Sequence, residues 1–174
     1  MWVFSSLYSQ NISQGLSQNQ PELEICNRTP PPDNHALVIA EIEQSLLEES
    51  DNPYLYYNLG IAHIQQQNWQ EAKVSLIQAL QFNADQTLLG KIYYNLGNVN
   101  ACEQKFKDAI TQYREALQTT PQDQESRYNL ALAYQLLKQQ QQEQQEQQEQ
   151  QQNSEENGES STNPERTENQ DGSS

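Results

Sequence analysis

Basic residues are scarce in this 174-residue chain: nine Lys and Arg against 24 Asp and Glu leave a formal charge of −15. A chain so acidic has no electrostatic footprint for nucleic acid, whose phosphates call for Lys and Arg. Cysteine is scarcer still, and two residues cannot build a disulfide-dense scaffold. Cys26 and Cys102 share no metal-ligand spacing with each other or with a histidine. Cys102, on a helical stretch, reads as a small buried hydrophobe. No apolar run approaches the ~20 residues of a membrane-spanning helix. The six glycines are scattered, so there is no loop to cradle a phosphate. His35 and His63 stand alone, and no nucleophile has a base placed with it. The chain therefore reads as no enzyme, with no metal, no cofactor and no small-molecule substrate.

What is abundant is glutamine, thirty residues of 174, far above ordinary usage. Charge and polarity divide the chain into three. Residues 1–33 are Ser-, Gln- and Asn-rich and end in Pro30-Pro31-Pro32, an extended disordered or linker segment. Its short apolar start, Trp2, Val3, Phe4, Leu7 and Tyr8, lacks the basic n-region of a secretory signal, since the first basic residue is Arg28. Asn11 and Asn27 match the glycosylation acceptor pattern, which arises by chance in such text. Residues 139–174 open with a Gln/Glu run from Gln139 to Gln152 and continue in Asn, Ser, Gly and Glu. That low-complexity composition buries nothing, and Glu143, Glu146 and Glu149 put like charges on one face. The expectation is a helix that frays into a disordered tail. Apolar residues concentrate in residues 34–138, long enough for one core.

The centre repeats itself. Tyr57-Asn58-Leu59-Gly60 recurs as Tyr94-Asn95-Leu96-Gly97 and as Tyr128-Asn129-Leu130-Ala131, at offsets of 37 and 34 residues. Ala72, Leu76 and Ala79 match Ala109, Tyr113 and Ala116, and Trp69 matches Phe106. A period of this length means stacked units that bury their cores only against neighbours. Each unit reads as a helix pair. Asp51 or Asn52 caps the first helix ahead of Pro53, Asn68 caps the next, Asp85 the third, and Asp123 the last, which follows Pro121 and runs to about Lys138. Extra residues around Thr87 to Gly90 predict that the second unit's first helix starts nearly a turn early. Gly60 and Gly97 inside helices each cost ~1 kcal/mol against Ala, so close helix approach is their reason. A stripe of Leu37, Ile39, Ile42, Leu46 and Leu47 predicts one helix before the first unit. The expected fold is an all-α solenoid of about six helices: a half unit, two full units and a final half unit.

These residues resemble the tetratricopeptide (TPR) repeat over about Asn52 to Lys138. Tyr56, Leu59, Gly60, Ala72 and Ala79 fit the motif in the first copy. Tyr93, Leu96, Gly97, Ala109, Tyr113, Ala116 and Pro121 fit in the second, and Leu130, Ala131 and Tyr134, after Arg127, in a weaker third. His63, Asn100 and Leu76 depart from it. The resemblance implies a concave groove that binds a peptide or helix, lined by Tyr54, Tyr57, Asn58, Ile61, Lys91, Tyr94, Asn95, Asn98, Glu125, Tyr128, Asn129 and Leu132. The alternative for Tyr57, Tyr94 and Tyr128 is packing between units.

TPR domains that grip chaperone tails use a two-carboxylate clamp of Lys, Arg and Asn. Its positions here hold Tyr57, Ile61, Asn95, Glu125 and Asn129, so of the clamp only Asn95 survives and that partner is not expected. Leu130, Leu132, Tyr134, Leu136 and Leu137 leave the last helix apolar over much of its circumference, a docking edge for another protein or a second copy. The layout of a short stack followed by a Gln-rich tail also resembles bacterial aerotolerance-operon (Bat-type) TPR proteins. That likeness implies an envelope complex with von Willebrand A-domain or MoxR-type ATPase partners. Localisation follows from it conditionally: periplasm or membrane if a signal or anchor precedes this stretch, cytoplasm otherwise. The reading is a non-catalytic protein-binding scaffold, with a cytosolic adaptor or co-chaperone-like protein as the alternative.

Overall fold

The computed structural model describes Cys26 and residues 35–159, with side chains at 26, 36–150 and 152. The apolar start, both acceptor asparagines and the triple proline lie outside the described residues. Six helices follow in order: α1 (His35–Glu48), α2 (Pro53–Gln65), α3 (Trp69–Gln81), α4 (Gln86–Cys102), α5 (Phe106–Thr119) and α6 (Gln124–Glu159). Among the described residues there is no strand, and no helix is long and apolar enough to cross a membrane.

Three helix starts carry the side-chain caps that the sequence calls for. Asn52 accepts from the Tyr54 amide, with Pro53 in the first turn where a missing donor costs nothing. Asp85 accepts from the Leu88 amide at 2.9 Å, and Asp123 from the Glu125 amide at 3.1 Å. Asn68 precedes α3 but does not cap it; its amide donates to Gln66 instead. The cause is the turn that joins the helices of a unit. Gln67 takes a left-handed conformation at φ 60°, and Gln104, one period later, at φ 58°. The reversal closes through the backbone, Asn68 N to His63 O and Lys105 N to Asn100 O at 2.9 and 2.8 Å. The residue after it is not left in the extended geometry that a capping side chain needs.

α4 has 17 residues where α2 has 13, the early start foreseen around Thr87 to Gly90. The added turn brings Gly90 against Thr120, where a Cβ would meet the hydroxyl oxygen at 2.3 Å. α6 corrects the expectation of a helix ending near Lys138, because it continues to Glu159. Gln and Glu are good helix formers, and Gln139 adds an i,i+4 hydrogen bond to Glu143 at 3.1 Å. Together these outweigh the like charges three residues apart. Packing divides the chain into two units, residues 1–137 and 138–174.

The core forms two clusters, one between α2, α3 and α4 and the other between the end of α4, α5 and α6. Ile64, Leu76, Ile92 and Val99 are among the residues closing the first cluster. Phe106, Ile110, Tyr113 and Leu132 are among those closing the second. Each such side chain contributes ~1.5–3 kcal/mol when fully buried. The small residues act as foreseen: Ala72, Ala79, Ala109 and Ala116 are fully buried, and Gly60 and Gly97 sit against Leu76 and Tyr113. Leu59 and Leu96 are buried, and Tyr56 and Tyr93 are half-buried against the first cluster. Tyr56 also stacks on Phe82 at 5.3 Å. α1 keeps Ile39, Ile42 and Leu46 half-buried but leaves Leu37 and Leu47 exposed, so its apolar stripe is narrower than the sequence suggests.

The second cluster also holds a feature absent from the sequence reading. Cys26 packs against it and is bonded to Cys102 at the end of α4, across a separation of 76 residues. Cys102 is thus one half of a disulfide rather than a free buried thiol.

Candidate groove of the helix stack

Three register positions of the first helices, α2, α4 and α6, shape one face. The outermost holds Tyr54, Lys91 and Glu125. Tyr54 is half exposed, and its hydroxyl donates to the Asp85 carboxylate, which ties α2 to the cap of α4. That bond raises the Tyr54 phenol and, with the Leu88 amide, holds the Asp85 carboxyl below its usual range. Lys91 and Glu125 are exposed. They line, with Thr87, Tyr94, Thr120 and Asp123, a shallow cleft of about 320 Å³.

The next position holds the recurring tyrosine with its following asparagine. Asn95 reaches back to the Tyr57 hydroxyl at 3.5 Å, and Asn129 to that of Tyr94 at 3.4 Å. The asparagine of one unit thereby engages the tyrosine of the unit before it. Both asparagines are buried, while Tyr57 and Tyr94 are half-buried and burial raises their phenols. Each of these tyrosines packs one edge between units and leaves the other outward. Asn58 and Tyr128, at the two ends of the series, are exposed.

The third position corrects the groove read from sequence. Ile61, Asn98 and Leu132 share one register, a turn beyond the tyrosines. Ile61 is half-buried against the core, Leu132 is buried in the second cluster, and Asn98 is 1 % exposed. These side chains point between units, not into the groove. Asn98 accepts from the Tyr113 hydroxyl at 2.8 Å and from the Asn129 amide at 2.9 Å. It is therefore the polar pin of the second unit. Leu130 of the third copy is half-buried, and Ala131, Tyr134 and Pro121 are exposed.

Helix pairs at this period, each locked by a small residue of one helix against a large residue of the other, form a TPR-like solenoid. Residues 51–122 match the tetratricopeptide repeat. Solved TPR structures share the fold of this stack. The first TPR domain of human RPAP3 is 21% identical, over 59% of this chain and 79% of that one, at a TM-score of 0.55. The second TPR domain of human RPAP3, in complex with the HSP70 peptide SGPTIEEVD, is 18% identical, over 57% and 81%, at 0.53. The crystal structure of MamA is 24% identical, over 59% of this chain and 54% of that one, at 0.54. No curated protein matches the chain.

The TPR face can do hydrogen-bonding and aromatic contact chemistry. Among the described residues, no group of three or more His, Cys, Asp and Glu is placed to hold a metal. Sequence reasoning missed Thr87, Thr120 and Asp123 as cleft walls. The only signal for them was the offset of 37 residues, which is three more than the next interval and marks the inserted turn.

Proposed function

We propose that this chain is a non-catalytic binding module that takes a peptide or helix along the face of α2, α4 and α6. The supporting observation is the outward series of Tyr54, Tyr57, Lys91, Tyr94 and Tyr128 on packed helices. Tyrosine supplies large contact area with one polar handle at low entropic cost. The TPR domain of RPAP3 noted above carries a peptide ending in EEVD, and this face is built against such a ligand. Its only cation in the outer register is Lys91, beside Asp123 and Glu125 in the cleft. Asn95 and Asn129 are already engaged with tyrosines of the preceding unit. An acidic tail would meet like charge there, so the favoured ligand is neutral or basic.

A peptide library displayed against the full chain tests this. Enriched neutral or basic sequences whose binding is lost in Tyr54→Ala and Lys91→Glu are expected. Selection of acidic tails, or binding indifferent to both substitutions, would sink the reading.

One observation favours the envelope reading over a cytosolic adaptor. The Cys26–Cys102 disulfide suits an oxidising compartment such as the bacterial periplasm, because cytosolic thiols are kept reduced. A Bat-type complex with von Willebrand A-domain or MoxR-type partners is consistent with that placement. Alkylating free thiols in intact cells checks it: blocked cysteines support the envelope, and quantitative alkylation of both removes it.

A further inference from the structure

The extra turn at the start of α4 does more than lengthen the helix. Two adjoining hollows of about 460 and 320 Å³ run along it and share Thr87, Thr120 and Asp123. Their walls come from three elements: α4 with Lys91 and Tyr94, the end of α5 with Thr119, and the start of α6 with Glu125. Gln86 ties the first two together by donating to the Thr119 carbonyl at 2.9 Å. Apart from Tyr94 and Pro121 the lining is polar or small, so burying an aliphatic anchor there would strand polar groups.

The charges around the hollows favour a cation. Both helix N-termini beside them already carry carboxylate caps, Asp85 on α4 and Asp123 on α6, so an anion would meet its own sign. α5 ends here with no basic residue in its last turn, and Pro121 offers no N–H to the Leu117 carbonyl four residues back. The negative end of that helix is available to a positive group. Glu125 is exposed, and among the described residues neither it nor Asp123 takes part in an ion pair. Lys91 acts instead on Asp85, adding to the groups that hold that carboxyl low.

Behind this wall lies an unsatisfied donor. Asn98 is 1 % exposed, and its Nδ2 has no partner. The amide faces the Tyr94 phenol: burial raises the phenol, the Asn98 amide opposes the rise, and Glu125 and Asp123 add to it. Asn129 donates to the same hydroxyl at 3.4 Å. With amides at its back, the Tyr94 hydroxyl keeps its proton for an acceptor on the cleft side, and Glu125 is there. A cation that fixes Glu125 fixes that proton too, and leaves the lone pairs of the Tyr94 oxygen to Asn98 and Asn129.

We propose, on the footing of the groove reading, that the cleft between α4 and α6 receives an arginine side chain of the bound peptide, its guanidinium on the Glu125 carboxylate and against the Tyr94 ring. The planar fork of arginine matches a carboxylate and stacks on an aromatic face. Lysine supplies the charge without the fork and binds more weakly. The cleft thereby sets which peptide the groove prefers and where along the stack it is fixed.

A random dodecapeptide display library selected against the full, oxidised chain tests the proposal. Wild type is expected to enrich a basic residue, arginine above lysine, at one fixed position. Glu125→Gln, nearly isosteric and at an exposed position, should lose that enrichment, and Glu125→Lys should replace it by Asp or Glu. Circular dichroism verifies that both variants are folded. Fluorescence anisotropy of the peptide enriched on wild type should show binding about threefold weaker in Glu125→Gln, as for one exposed charge pair, and weaker still in Glu125→Lys. Tyr54 lies outside the cleft, so Tyr54→Ala should weaken enriched peptides whether or not they carry the arginine, which separates groove from cleft. Peptides that bind wild type without a fixed basic residue, or a basic preference that survives in both Glu125 variants, overturn the cleft and leave the groove. A wild type that enriches no peptide overturns both.

Discussion

The ring of Tyr113 lies directly on the backbone of Gly97, so close that a Cβ on residue 97 would come within 2.5 Å of it. Tyr113 is fully buried and fixed at its far end by Asn98, so it cannot step aside. Gly97→Ala is therefore expected to cost about 2–3 kcal/mol, the upper part of the overpacking range. Gly60→Ala meets Leu76 at 2.7 Å, a side chain with an adjustable rotamer, and should cost less. Urea denaturation of the two variants gives both values; equal stability of Gly97→Ala and wild type would contradict the packing described.

Tyr113→Phe keeps the ring and removes the hydroxyl that Asn98 accepts. Asn98 retains the Asn129 amide as donor, so the expected loss is about 1 kcal/mol, typical of one net hydrogen bond. Adding Asn129→Ala should cost more than the sum of the single changes, because Asn98 is then left buried without a donor. A double-mutant cycle by chemical denaturation reads the coupling.

Alkaline pH should unfold the stack. Burial raises the phenols of Tyr57, Tyr94 and, by the largest margin, Tyr113, which Tyr94 raises further. Unfolded tyrosines ionise near pH ~10. Because the folded values are higher, the stability of the neutral phenols is full below about pH 10 and is lost as pH rises above it. The urea midpoint is expected to hold up to about pH 9.5 and then fall, and Tyr113→Phe should show a shallower fall.

Reduction of the Cys26–Cys102 bond frees a long loop, given its separation of 76 residues. Thermal melting with and without dithiothreitol should differ by the equivalent of about 2–4 kcal/mol. Cys26→Ser should match the reduced wild type and be insensitive to the reagent.

Much of this was legible because local rules and the fold agree. Asn52, Asp85 and Asp123 cap where their side chains and the following residues say they should. Gly60 and Gly97 announce close approach because nothing else explains a glycine within a helix. The misses lie where neighbours decide. The TPR resemblance puts Asn98 in the groove, yet its register points between units, where its Oδ1 accepts from Tyr113 and Asn129 and its Nδ2 has no partner. Leu132 shares that register and is buried for the same reason. Asn68 was overruled by the left-handed turn at Gln67. α6 runs on past Lys138 because the helix propensity of the Gln/Glu run outweighs the local repulsion between its glutamates. No local rule pairs Cys26 with Cys102; only the folded stack brings them together.

That pairing has a mechanical meaning. The covalent loop it closes contains α1, α2, α3 and nearly all of α4. A force pulling on residues before Cys26 against the far end of α6 crosses the sulfur–sulfur bond and bypasses those helices. Only α5 and α6 lie in the load path, so the first repeat can be drawn out by tension only after the bond has been reduced.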